Sequence, residues 1–345
     1  MSLQLSEIAR HFMMYLPRRV YLSRLMKKAQ EIETRNRKVF ILLSCDTEFD
    51  PPSRGETYKT RSVASLLDGL PRFLELCEQY DAPATFFSEG KLVEERPDTF
   101  RGIAVHHEIG CHSYAHEWLG SSPPPRWIIG REELPILSSD VKASIIGRAV
   151  KSIEAAVGKK PKSFRAPWGS VDDASTLMIL EQNGFDSDSS LPWYNDQSYA
   201  APFPLSPTRH VSSRDLWSEG ESHLIEVPFM IRPEPLLFQP YRQEVIDSFH
   251  AGVEFALEGV DIECKLDALA GRDFTLVQVT SHPWEFSDVG PWGRGSSNAK
   301  TLQDYIGQLC AVYDVEFMTV AEFTARWEKE YCPKHGSRTK RSTLH

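Results

Sequence analysis

Val39-Phe40-Ile41-Leu42-Leu43 is an unbroken apolar run, and it constrains the fold more than any other stretch of the chain. A strand with one face in water alternates apolar and polar residues. A strand covered on both faces does not alternate, and such strands belong to parallel sheets layered with helices. The downstream residues keep to that pattern. Residues 62–80 read as an amphipathic helix, 84–87 as a second strand, and the segment up to residue 100 as a second helix. Further on come a helix ending at Val157, with Ser139 or Asp140 as its cap and Gly158 as its stop, and a short strand at 162–167. A helix at 172–183, strands at 185–189 and 224–227, and a helix at 244–257 are predicted next. Phe274-Thr275-Leu276-Val277-Gln278-Val279-Thr280 is the clearest late strand, and a helix at 301–312, a strand at 315–319 and a helix to residue 331 close the pattern. Alternation of this kind predicts an α/β fold on a parallel sheet, and 345 residues suit one barrel. No change of composition inside 38–331 marks a boundary, so this span is read as one domain.

The flanks differ in character. Residues 1–38 carry nine Lys/Arg against three Asp/Glu, although the whole chain has a net charge of −9. Residues 1–37 read as a basic amphipathic helical extension broken at Pro17, either packed on the domain or in peripheral contact with an anionic membrane. Residues 332–345 form a basic tail expected to be disordered. The overall acidity argues against nucleic acid as a partner. Cys45, Cys77, Cys111, Cys264, Cys310 and Cys332 show no CxxC spacing, which suits reduced, buried thiols. No run approaches the ~18–20 apolar residues of a membrane span, and Glu7, Arg10 and His11 interrupt any signal-peptide core. A cytoplasmic location, at most peripheral to the inner membrane face, is the expectation.

Chemistry in α/β barrels sits where strands run out into loops. The polar residues just beyond the predicted strands are Asp46 and Glu48, His112 and His116, Arg165, Asp186 or Asp188, and His282. His112 and His116 are four apart, so on a helix both imidazoles leave one face and can grip a transition metal, with zinc the usual occupant. The same spacing also serves packing or capping, so the pair needs a third ligand and a place for water. Two carboxylates, an arginine and a further histidine supply the remaining parts of a hydrolase.

Four segments carry a resemblance: Asp46-Thr47-Glu48, His112-Ser113-Tyr114-Ala115-His116, Phe164-Arg165-Ala166-Pro167-Trp168 and Ser281-His282-Pro283-Trp284. In this order they resemble the polysaccharide deacetylase family (NodB homology, carbohydrate esterase family 4-like). Ala84-Thr85-Phe86-Phe87 and His107-Glu108-Ile109-Gly110 resemble its structural segments, so the likeness runs from Val39 to Phe323. The resemblance implies a distorted (β/α) barrel of about seven parallel strands. It also implies metal-dependent removal of an acyl group from an amide nitrogen, usually that of an N-acetylated sugar or glycan. By the same resemblance Asp46 is the catalytic base, and Glu48, His112 and His116 hold the metal, expected to be Zn2+. Here the first-motif acids are two apart and the second is Glu, which resembles the branch acting on intracellular or lipid-linked substrates. Which of the two acids binds the metal stays open, and Asp50 is a third candidate.

The chemistry gives each residue a task. Zinc on three protein ligands keeps a position open for water and acidifies it. Asp46 would take the proton, Arg165 would orient Asp46, and His282 would protonate the departing amine. The metal and a backbone N–H near Tyr114 or Trp168 would stabilise the oxyanion. Asp188 is read as the carboxylate partner of His282, with Asp186 as the alternative, and Trp168, Tyr114 and Trp284 are candidate substrate contacts. Two other readings compete: a C–N hydrolase for a formamide or small cyclic amide, and a catalytically silent sugar-binding barrel.

Overall fold

The computed structural model describes residues 31–50, 62–121, 123, 134–171, 174–190, 224–228, 253–269, 271–289 and 295–330. Residues 31–37 are turn and coil leading into the first strand, while the remainder of the N-terminal extension, the loop at Pro51-Pro52, Trp193 and the C-terminal tail lie outside the described residues.

Strand β1 (Lys38–Thr47) is followed by α1 (Ala64–Gln79), β2 (Ala84–Ser88), α2 (Gly90–Glu95), α3 (Pro97–Ile103) and β3 (Glu108–Cys111). Next come α4 (Ser139–Val157), β4 (Ser163–Phe164), α5 (Ala174–Asn183), β5 (Ser187–Asp188) and β6 (Ile225–Glu226). The order closes with α6 (Val253–Leu269), β7 (Phe274–Ser281), α7 (Gly295–Val312), β8 (Asp314–Phe317) and α8 (Val320–Glu330). All strand pairs are parallel, and the sheet runs β6-β5-β4-β3-β2-β1-β7. One edge of β1 is divided: its first half, Lys38 to Ile41, pairs with β8, and Leu43 to Thr47 pairs with β2. The expected distorted (β/α) barrel is what forms.

The two-residue period of β1 sorts its side chains. Val39, Ile41, Leu43 and Cys45 join the layer under the helices, together with Leu66, Leu70, Phe73, Ile146, Ile153 and Ile306. Phe40 and Leu42 face the barrel interior, where they meet Phe87, Ile225, Val227, Phe274 and, from α8, Val320 and Phe323. The lower interior is thus an apolar plug closed by α8. Above it lies a polar layer: Ser44 Oγ is 3.2 Å from Thr280 Oγ1, and Gln278 reaches across to Ser189 and the Val227 carbonyl. That contact joins β7 to the far end of the sheet, which is how the sheet curls into a barrel.

Sequence and structure differ at a few boundaries. The α4 N-cap is Ser138, not Ser139 or Asp140, whereas Gly158 does stop the helix in the left-handed conformation at φ 79°. Helix α6 extends to Leu269, beyond the expected end at Leu257. Cys45, Cys77, Cys111, Cys264 and Cys310 are unbridged. Among the described residues no helix is long and apolar enough to cross a membrane.

Candidate active site

Sheet register sets the level of the site. Cys45 lies opposite Ser281, and Cys111, Phe164, Asp188 and Glu226 lie side by side across β3 to β6. The next residues along these strands, including His112, Arg165 and His282, therefore emerge at one end of the barrel. Asp46 and Glu48 are two apart at the end of β1, so their carboxylates share the interior face.

Glu48, His112 and His116 converge, with one ligand atom from each all within 4.8 Å of one another. Glu48 Oε2 is 3.6 Å from His112 Nε2 and in closer contact still with His116 Nε2. The His112–His116 segment is not helical, contrary to what its spacing suggests. It is a turn in which Ser113 (φ 63°) and His116 (φ 61°) occupy the left-handed region, at a cost of order 1 kcal/mol or more for each. A turn aims both rings at Glu48, and the edge-on Trp168 ring, 4.2 Å from the His116 ring, holds one of them there.

A divalent cation fits these donors. His112 Nδ1 lies 2.8 Å from the Arg165 carbonyl, which can only accept. Nδ1 therefore carries a proton, and Nε2 is the ring nitrogen that faces Glu48. Glu48 Oε2 is buried there without a hydrogen bond. One carboxylate and two imidazoles converging in a buried place are the donor set that zinc takes. Burial pushes the Glu48 carboxyl up, but the His116, His112 and His282 imidazoles outweigh it and hold the group well below the usual carboxylate range. The neighbouring Cys111 thiol is pushed up by burial to about 12, so it stays protonated and inert.

Arg165 is almost fully buried and grips Asp46 Oδ1 at 2.6 Å. Three more of its five hydrogens go to Ser44 Oγ at 3.1 Å, the Ser189 carbonyl at 2.9 Å and Ser189 Oγ at 2.9 Å. The guanidinium also lies 4.1 Å from the centre of the Phe87 ring. This leaves Asp46 Oδ2 facing His282 Nε2 across 3.9 Å, with Glu48 Oε1 at 3.9 Å from the same nitrogen.

The carboxylate beside His282 Nδ1 is Glu285, at 3.4 Å, where the sequence pointed to Asp188 or Asp186. Glu285 also accepts the His282 backbone N–H at 2.7 Å, as the capping residue of the turn Pro283–Phe286. Gly69 of α1 permits this turn to sit close, since a Cβ there would fall 1.8 Å from the Pro283 carbonyl oxygen. Asp186 lies on the surface, paired with Lys162. Asp188 is fully buried, accepting from Ser190 Oγ and from Glu226.

Burial is also why the Asp188 carboxyl is pushed up to about 6, against the pull of Ser190, Glu226, the Ser189 N–H and Arg165. A carboxyl raised by folding holds a proton that the unfolded chain has already lost, so its contribution to stability falls as pH rises from about 4 through 6. Asp188→Asn, neutral throughout, is expected to gain stability relative to wild type as pH rises through that window. Urea unfolding of both proteins at the two ends of the window checks it, and a constant difference would contradict it.

The three aromatic candidates are placed differently from one another. Trp168 buttresses His116, and Trp284 is buried and stacked on the His282 ring at 4.1 Å. The Tyr114 hydroxyl donates to Glu94 at 2.8 Å, and Arg148 covers its ring at 3.8 Å. Burial, then the Glu94 carboxylate, pushes that hydroxyl up to about 12. The Tyr114 backbone N–H, an expected oxyanion donor, is engaged by Glu117. Sequence reasoning missed Ser44, Glu117, Ser189, Gln278 and Glu285. Only Glu285 left a signal, the three-residue spacing of a capping box after His282.

Fold and site together define a parallel (β/α) barrel in which a Glu–His–His cluster lies beside Asp46 and His282. Residues 61–187 match the polysaccharide deacetylase family model. The chain is 31% identical over 129 residues to the peptidoglycan deacetylase of Helicobacter pylori, covering 37% of this chain and 38% of that one. The curated relatives are matched over half of their own length or less. Among solved structures, one from Mycobacterium smegmatis described as a polysaccharide deacetylase is similar at a TM-score of 0.58, with 20% identity, covering 88% of this chain and 96% of that one. Puue allantoinase is similar at 0.59 with 14% identity, covering 89% and 95%. These two similarities concern the fold.

Proposed function

We propose that this chain is a metal-dependent hydrolase that removes the N-acetyl group from an amino sugar of a surface glycan or of its intracellular, lipid-linked precursor. One observation carries the reading: Asp46, Glu48, His112, His116, Arg165 and His282, from four distant parts of the sequence, meet at one end of the barrel. The family match and the H. pylori relative, a peptidoglycan deacetylase, support an N-acetylated glycan as substrate. The basic residues 1–37 suit contact with an anionic membrane face, where a lipid-linked precursor would be met.

Glu48, His112 and His116 would hold the cation, most simply Zn2+. When bound, it supplies Lewis acidity, which acidifies a water and polarises the amide carbonyl. Asp46 Oδ2 takes the water's proton, because Oδ1 is already committed to Arg165. Arg165 fixes the plane of that carboxylate through its own contacts to Ser44, Ser189 and the Phe87 ring. His282 Nε2 delivers a proton to the departing nitrogen, a step amide cleavage requires, while Trp284 and Glu285 hold the ring in place.

The test is product analysis with zinc-loaded protein. Acetate release from N-acetylhexosamine oligomers, lost in Asp46→Asn, is the expected result. Formate from formamides, or ring opening of a cyclic amide in place of acetate, would replace the proposal with the other hydrolase reading. Zinc uptake with no acyl release from any amide would favour the silent sugar-binding barrel.

A further inference from the structure

The turn carrying both imidazoles is tied down on both its acceptor and its donor side. Its carbonyls are met by the first turn of α2: Gly90 N donates to the Ser113 carbonyl at 3.0 Å and Lys91 N to the Tyr114 carbonyl at 2.8 Å. Gly90 lets α2 fit between α4 and the turn, since a Cβ would fall 2.6 Å from Ala149 Cα and 3.1 Å from the Tyr114 ring. The donors of the turn go elsewhere. Tyr114 N at 3.2 Å, Ala115 N at 2.9 Å and the Ser113 hydroxyl all converge on one oxygen, Glu117 Oε2. Three donors on one carboxylate oxygen form an anion nest of the kind that holds a turn in shape. This turn needs holding, because Ser113 and His116 both sit in the left-handed region.

Resting on the metal-site reading, we infer that Glu117 is the positioning residue of the metal site. Its side chain closes the 113–116 turn from within, so that His112 and His116 point at Glu48 before any cation arrives. Without that carboxylate, the Tyr114 and Ala115 amides lose their shared acceptor, the left-handed residues relax toward ordinary backbone, and the His116 ring swings off the convergence point. Glu117 lies outside the Glu48–His112–His116 cluster. It acts through the shape of the turn.

Zinc competition against a chromophoric chelator, read on the full-length protein, tests this. Loss of a supporting partner of metal ligands typically weakens affinity about 10–100-fold, and Glu117→Ala is expected to fall in that range. Glu117→Gln keeps an acceptor oxygen and is expected to fall between Glu117→Ala and wild type. In the metal-free proteins, the Tyr114 and Ala115 amides are expected to exchange with solvent faster in Glu117→Ala, while β1 and β7 amides exchange as in wild type. Zinc affinity unchanged in Glu117→Ala overturns the inference, as does an equal loss in both variants. A wild type that takes up no zinc overturns instead the metal reading itself, and the exchange measurement then decides separately whether Glu117 shapes the turn.

Discussion

Asp46→Asn is expected to lower kcat on an N-acetylhexosamine oligomer by about 10²–10⁴-fold, the usual contribution of a positioned general base, while zinc content stays that of wild type. The separation of the two readouts follows from geometry. The candidate ligand atoms belong to Glu48, His112 and His116, while Asp46 bonds Arg165 through Oδ1 and presents Oδ2 toward His282. An asparagine can keep the contact to Arg165 through its carbonyl oxygen but has no basic oxygen to offer. Loss of zinc together with activity would make Asp46 a ligand, the alternative that the two first-motif acids leave open in sequence. Unchanged kcat would move the base elsewhere.

Arg165→Met is expected to destabilise the fold by about 3–5 kcal/mol, the typical cost of removing one partner of a buried ion pair. Asp46 would be left buried beside a thioether, and the Ser189 carbonyl and the hydroxyls of Ser44 and Ser189 would lose their shared donor. Arg165→Lys is not a remedy, because an ammonium cannot reproduce the planar fork that reaches β1 and the segment after β5 together. The urea midpoint at constant slope gives the number. A shift worth less than about 1 kcal/mol would show that the polar layer tolerates the loss and that Arg165 serves catalysis alone.

Both expectations depend on residues that sequence reasoning reached unequally. The continuous apolar runs at Val39–Leu43 and Phe274–Thr280 announced the central strands, because burial on both faces leaves no room for alternation. Asp46, Glu48, Arg165 and His282 were legible as polar residues at strand ends. The His112–His116 pair was legible as a ligand pair but not as a turn, since a spacing of four suits a helix and a left-handed turn alike. Ser44, Ser189 and Gln278 were not legible at all: they are small or neutral polar residues in three separate segments, and only register and the curl of the sheet bring them to Arg165. For the partner of His282 the sequence points far off, to Asp188 or Asp186. The structure puts Glu285, three residues on, in that place, because a capping turn needs a carboxylate there for its own hydrogen bonds.

One cation is expected where the first strand and the 112–116 turn meet. Elemental analysis of the purified protein, wild type beside His116→Ala, tests it most directly. One zinc or other divalent ion per wild-type chain, retained through dialysis, and a near-empty His116→Ala is the result this geometry predicts. Equal metal in both proteins, or a wild type that stays empty when zinc is offered, would contradict it.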